Sequence, residues 1–169
     1  PHIQNQMISP ALEKKMELLI EVITSLRNIR SSWNIDQSKK IDAYIKVAKA
    51  DSAEILKSYS SYLKEMAKIE SLNIGKDVKK PPMSATSVIG HLVEIYVPLA
   101  GVIDIEKEKE RLKAGIQKTK GFQKSLDVRL KNKEFLSKAP EDIVEKEKEK
   151  KIELKETLLK LQSNLKDLE

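Results

Sequence analysis

Basic side chains are concentrated in one segment of this chain. Residues 113–133 contain seven lysines and arginines but a single acid, Asp127. This excess equals the formal net charge of the whole chain, +6. A localised cluster of ammonium and guanidinium groups suits a polyanionic partner, and nucleic acid is the first candidate.

The residue types that metal sites and nucleophilic catalysis need are scarce. The chain has no cysteine, which excludes a disulfide framework and a thiolate metal site. Histidine occurs only as His2 and His91, too few for a histidine metal cluster. We therefore predict no catalytic residue, no metal site and no cofactor in the chain itself.

No sign of membrane insertion or export is present in the sequence. No apolar run reaches the roughly 18 residues of a membrane-spanning helix, and the first residues lack a signal-peptide pattern. We therefore predict a cytoplasmic location and no membrane partner.

Two long heptad segments position the basic charge. In the first, four apolar residues share one seven-residue seam (Leu112, Ile116, Leu126 and Leu130). In the second, leucines recur at alternating steps of four and three (Leu154, Leu158, Leu161, Leu165 and Leu168). Because the link over residues 132–142 is short, the two helices must fold back as an antiparallel pair. We predict an arm over residues 103–169, with helices of about 28 residues and about 40 Å each.

The middle of this predicted pair is polar. Pairing the heptads places Leu112 opposite Leu161 at an apolar base, whereas polar side chains occupy the seam farther out (Thr119, Gln123, Glu147 and Lys151). Gly115 and Gly121 each cost the first helix up to about 1 kcal/mol relative to alanine. We predict a stiff base and a loosely packed middle.

Basic residues flank the predicted turn, and two interpretations of them are open. Either they contact RNA phosphates, or they form a solvated surface paired with Glu141, Glu145 and Glu149. We favour RNA contact because the outer part of the first helix, residues 113–133, has only one acid. The predicted RNA-binding residues of the arm are Lys124, Arg129, Lys131, Lys133, Lys138, Lys146 and Lys150.

The residues before the arm predict a small module of helices and short strands. Ser9 and Pro10 are typical of a helix start, and the helix should end near Ser31-Ser32. Helical and strand patterns then alternate (strand 40–47, helix 51–69, and short strands near 72–74, 85–89 and 92–99). The predicted fold class is α+β, a small mixed module of helices and a short β-sheet followed by a long antiparallel two-helix coiled-coil arm.

Arg27 and Arg30 lie on one face of the first predicted helix, and two interpretations are again open. They contact backbone phosphates of RNA, or they form ion pairs with Asp36 or with acids outside this chain. We include both arginines in the predicted RNA-binding set.

Four motifs in order, at matching spacing across nearly the whole chain, resemble the C-terminal region of bacterial valyl-tRNA synthetases. They are Leu26-Arg27-Asn28-Ile29-Arg30 with Asn34-Ile35, the run Val97–Asp104, the run Asn132–Phe135, and the run Lys138–Glu147. The first is similar to the arginine motif that ends the family's anticodon-binding helical bundle. The second resembles the entry to its coiled-coil arm, and the last two resemble the turn and second helix of that arm.

The resemblance implies a tRNA ligase of class I that activates valine with ATP and Mg²⁺ and esterifies it to tRNA. In that family the arm lies against the outer corner, or elbow, of tRNA, and the bundle contacts the anticodon stem and loop. The family's His-Ile-Gly-His and Lys-Met-Ser-Lys-Ser signatures are absent here, so the chain should be non-catalytic alone.

The resemblance also implies domains and partners. Residues 1–35 would contain the last helix of the anticodon-binding bundle, residues 36–102 the small α/β module, and residues 103–169 the tRNA-binding arm. The expected partners are tRNA and the remainder of the synthetase chain, and the chain should be monomeric. The alternative function is a structural coiled coil without RNA binding, whose leucine stripe pairs with another copy.

Overall fold

The computed structural model describes residues 10–169. It divides the chain into two units, the first ending at Ile103 and the second formed by Asp104–Glu169. Ser9, the residue predicted to cap the first helix, lies outside the described residues.

The described residues form helices and strands in an order that confirms the predicted α+β class. The first unit contains α1 (Pro10–Ser32), β1 (Ile41–Val47), α2 (Ala50–Ser58), α3 (Ser60–Ala67), β2 (Ile69–Gly75), β3 (Ser84–Ile89) and β4 (Val93–Pro98). The second unit, here called the hairpin, contains α4 (Ile105–Lys131), α5 (Lys133–Lys138) and α6 (Glu141–Asp167).

One four-stranded sheet, in the order β2-β1-β4-β3, forms the centre of the first unit. The strands β1 and β2 run parallel because α2 and α3 carry the chain back between them, whereas β4 is antiparallel to both of its neighbours. Alternate residues of β1, from Ile41 to Val47, are buried, as the period of two predicted.

Helix α1 packs on this sheet and on α3. Leu12, Met16 and Ile20 are apolar residues of α1, yet all three are exposed. Every residue from 12 to 17 is exposed, and Ile20 is 58% exposed. Burial begins at Leu19, so only the later turns of the helix pack against the sheet.

A pH-sensitive cluster lies on the sheet, where Tyr96 donates a hydrogen bond to Glu94 and Lys46 Nζ lies 2.9 Å from Glu94 Oε1. Burial, then the bond to Glu94, raises the pKa of Tyr96 from 10.0 to about 12. Because the folded pKa of Tyr96 is higher than its unfolded pKa, this contribution to stability is complete below pH 10 and is lost as pH rises to about 12.

We expect the urea midpoint of the native chain to fall more steeply between pH 10 and about pH 12 than that of Tyr96→Phe. Parallel curves would contradict the assignment.

In the hairpin, α4 and α6 have 27 residues each and pack along one another. Asp104 caps α4, because its Oδ1 accepts a hydrogen bond from Lys107 N at 3.1 Å. The sequence prediction missed the short helix α5 inside the turn. Its cap is Asn132, whose Oδ1 accepts from Glu134 N at 2.9 Å.

The seam between α4 and α6 changes character along its length. A β-carbon at Gly115 would lie 3.5 Å from Leu161 Cδ1, an ordinary van der Waals contact, so the two helices pack together there, one turn beyond the predicted Leu112, with room for an alanine. Farther along, Lys151 Nζ lies 2.5 Å from Asp127 Oδ1. The middle of the seam therefore contains an ion pair between the helices, while its predicted loose packing stays a prediction.

Candidate nucleic-acid interface

Four lysines of α4 form a continuous stripe on one exposed side of the hairpin. Lys113, Lys120, Lys124 and Lys131 lie within about 40° of one another around the helix axis, at 3.6 residues per turn. All four are exposed, and in the described part of the chain none of their ammonium groups has an acidic partner. This lysine stripe runs for about 27 Å, at 1.5 Å per residue.

On the other side of the seam, a groove with a volume of about 220 Å³ lies between α4 and α6. Phe122, Leu126 and Leu154 form its apolar part, and Arg129 and Lys150 lie at its edges. The ring of Phe122 is 54% exposed, and Lys118 Nζ lies 5.8 Å from its centroid. An exposed ring among cations suits stacking on an unpaired base next to a phosphate.

Three predicted RNA-binding residues of the hairpin have acidic partners. Arg129 Nη1 lies 2.8 Å from Glu147 Oε1, and Lys138 Nζ lies 2.7 Å from Glu134 Oε1. Lys146 Nζ is 3.7 Å from an oxygen of Asp142. None of the acids named in the alternative interpretation (Glu141, Glu145 and Glu149) takes part in these pairs. The pairs of Lys138 and Lys146 are exposed and contribute about 1 kcal/mol or less, so these two cations remain able to exchange their carboxylate for a phosphate.

The other four predicted hairpin residues are exposed and have no ion pair within residues 10–169 (Lys124, Lys131, Lys133 and Lys150). The structure brings Arg129 and Lys150 together at the groove, whereas Lys124 and Lys131 belong to the lysine stripe. Lys113 and Lys120 complete that stripe but were not in the predicted set. Lys113 and Lys120 are seven residues apart, Lys120 and Lys124 four, and Lys124 and Lys131 seven. This spacing was the signal in the sequence that places all four on one side of the helix.

Arg27 is exposed and links α1 to α3. Its Nε and Nη2 donate hydrogen bonds to the Met66 carbonyl at 3.3 and 3.0 Å. These bonds do not use Nη1, so Arg27 retains a donor for a ligand.

Arg30 is only 8% exposed, which places it below the surface where a phosphate contact would form. Its Nη2 donates hydrogen bonds to the carbonyls of Asp36 at 2.6 Å and Lys39 at 2.8 Å. Burial lowers the pKa of Arg30, and the nearby charge of Asp36 opposes that shift. The bond to Asp36 uses the main chain, while Asp36 Oδ1 accepts hydrogen bonds from Ser38 N and Oγ. Arg30 thus holds the loop that precedes β1.

Two further findings apply to the residues that the structure describes. No three histidine, cysteine or carboxylate side chains among them come together as a metal site would require. None of their helices combines the length and apolar character needed to cross a membrane.

Comparisons with known proteins found similarity along the whole chain. Residues 104–169 match the family model described as the valyl tRNA synthetase tRNA binding arm. Over 169 residues, 100% of this chain, the sequence is 37% identical to a valine–tRNA ligase of Thermotoga maritima, of which it covers 19%.

Two further relatives show the same relationship. A valine–tRNA ligase of Desulfotalea psychrophila is 35% identical over 95% of this chain and 18% of its own length. One of Fervidobacterium nodosum is 33% identical over 100% of this chain and 19% of its own length. The chain spans about a fifth of the length of these curated relatives, and the matches confirm the resemblance inferred from the four motifs.

Proposed function

Because residues 104–169 belong to the family of valyl tRNA synthetase tRNA binding arms, we propose that this chain binds tRNA through its hairpin. The observation that carries the proposal is the lysine stripe on α4. Its four cations have no acidic partner in the described part of the chain, so they are available to neutralise phosphates. The contact on tRNA is the elbow, at the outer corner of the molecule.

The two sides of the hairpin contribute different kinds of contact. The lysine stripe supplies charge along a straight helix and therefore reads the backbone, not the base sequence. The groove at Phe122 adds a flat apolar surface for a base that is not stacked in a helix, with Arg129 beside it. The elbow, where loops meet, offers both backbone phosphates for the stripe and unstacked bases for the groove.

In the intact protein, this chain serves a valine–tRNA ligase that uses ATP and Mg²⁺ and whose catalytic residues and cofactor sites lie elsewhere. Its role is to hold tRNA while the chemistry takes place in another domain. The exposed apolar side chains of α1, Leu12, Met16 and Ile20, support packing of this helix against the remainder of the synthetase, in the anticodon-binding bundle.

The test is tRNA binding at two salt concentrations. A fluorescent valine tRNA transcript is titrated with the chain at about 50 and about 200 mM KCl, and the Kd should rise at least tenfold at the higher salt. Absence of binding at low salt, or a Kd that does not change with salt, would contradict the proposal.

A self-associating coiled coil is the competing function. The leucines of the seam pair with one another inside the hairpin, which leaves the exposed Ile152 (61%) and Leu159 (59%) of α6 as its support. Sedimentation velocity without RNA separates the two functions. We expect a monomer, while a dimer that dissociates in the double variant I152S/L159S would favour self-association.

A further inference from the structure

Two adjoining hollows of the first unit share one residue, Lys68. The first has a volume of about 440 Å³ and is lined by Arg27, Arg30 and Lys68. The second, of about 570 Å³, is lined by Lys40, Lys64 and Lys68. Together the hollows include four exposed bases, the buried Arg30 beneath them and a single acid, Glu65. We call this region the Lys68 surface.

Hydrogen bonds to main-chain carbonyls fix the elements that carry these bases. Arg30 holds the carbonyls of Asp36 and Lys39, and thereby the loop that presents Lys40. Arg27 holds the Met66 carbonyl at the end of α3, next to Lys68. The main chain next to these cations is therefore held in place by side-chain hydrogen bonds.

The exposed lysines of this surface are available to a ligand. Lys40, Lys64 and Lys68 are exposed, and within residues 10–169 their ammonium groups have no hydrogen-bond or ion-pair partner. A ligand that binds there meets positive charge on both sides of Lys68.

The backbone of Lys68 gives a second and independent argument. Lys68 ends α3 in the left-handed conformation, with φ 52° and ψ 55°, a position where glycine is the common residue. Its main-chain N–H and carbonyl bond to Glu65 O at 3.4 Å and Ile41 N at 3.1 Å, and neither bond needs a side chain. The fold requires this conformation but not a lysine. A lysine at a position where glycine would fit without strain points to use of its side chain.

We propose that the Lys68 surface binds the phosphate backbone of tRNA and is a second contact region besides the hairpin. This inference rests on the proposed tRNA binding. The contact groups are cations, which bind phosphates in any sequence context, so this surface adds affinity without sequence selectivity.

The test uses the full chain and the triple variant K40A/K64A/K68G. Against native chain, we expect tRNA affinity at low salt to fall about tenfold and the slope of log K against log salt to decrease by about three. The single variant K68G should lower the slope by about one and leave the thermal midpoint unchanged or raised, because glycine suits the left-handed conformation.

The matched control is K57A/K76A/K79A, which removes the same charge from three exposed lysines that line neither hollow. It should change the affinity by less than about twofold. An equal loss in both triple variants would show a general charge effect and would overturn the inference. A lower thermal midpoint in K68G with unchanged tRNA affinity would show that Lys68 is only a helix cap, with the same consequence.

A hairpin variant separates this inference from the function on which it rests. If K124E/K131E weakens tRNA binding but K40A/K64A/K68G does not, the Lys68 surface has no role and the hairpin proposal stands. If the native chain itself does not bind tRNA at low salt, both are overturned.

Discussion

A chain that ends at Asp104 should lose tRNA affinity by on the order of 100-fold at low salt. This truncation removes the lysine stripe and the groove at Phe122, and with them most of the cations proposed to contact phosphate. Affinity is measured with the same tRNA titration as for the full chain. The binding that remains should have a shallow salt slope of about three, the share assigned to the Lys68 surface.

A variant of the full chain keeps this expectation independent of the fold of the truncated one. In K124E/K131E, two cations of the lysine stripe are reversed on an exposed side of α4, so the helix content by circular dichroism should not change. We expect tRNA affinity to fall by on the order of 10-fold or more, because each glutamate also repels phosphate. If truncation leaves affinity and salt slope as they were, the hairpin does not bind tRNA.

Leu112→Ala should lower the free energy of unfolding of the hairpin by about 2–4 kcal/mol. Leu112 is fully buried (0% exposed), and truncation removes apolar contacts while leaving a cavity in a seam that has few other buried leucines. Urea unfolding followed by helix ellipticity measures the effect.

The control for this prediction is Leu159→Ala on the exposed side of α6. Leu159 is 59% exposed, so its replacement should change stability by about 0.5 kcal/mol or less. Similar losses for both leucines would mean that the seam is not what stabilises the hairpin.

Elements with a strong local signal were predictable from the sequence. The heptads defined α4 and α6, and the alternation from Ile41 to Val47 is the buried face of β1. In each case the information lies in residues close together in the chain, where a single period or cap decides the structure.

Features that depend on distant residues were not predictable in this way. The sheet order β2-β1-β4-β3 and the exposure of Leu12 and Ile20 follow from packing between elements, which a single sequence does not encode locally. Short segments such as α5 lack a full period to recognise. Their existence depends on one cap, here Asn132.

The residues of the candidate site also divide into those that local sequence identifies and those that depend on tertiary packing. Lys124 and Lys131 were identified from the unbalanced charge of their helix, which is a property of sequence alone. Arg30 was grouped with them because its type and spacing fit, yet tertiary packing buries it under the loop it holds. Lys68 gave no signal, since its left-handed backbone arises only where α3 meets the sheet.

The ion pairs across the hairpin determine which of several possible alignments the two helices adopt. Leucines that repeat every seven residues would pack almost as well after a slip of one heptad. Such a slip would place Asp127, now beside Lys151, opposite Val144 or Leu158, and would leave a charge against an apolar side chain. Polar seam residues thus exclude the slipped pairings at some cost in stability, and the α6 residues of the groove, Lys150 and Leu154, keep a fixed position beside Phe122 and Arg129 of α4.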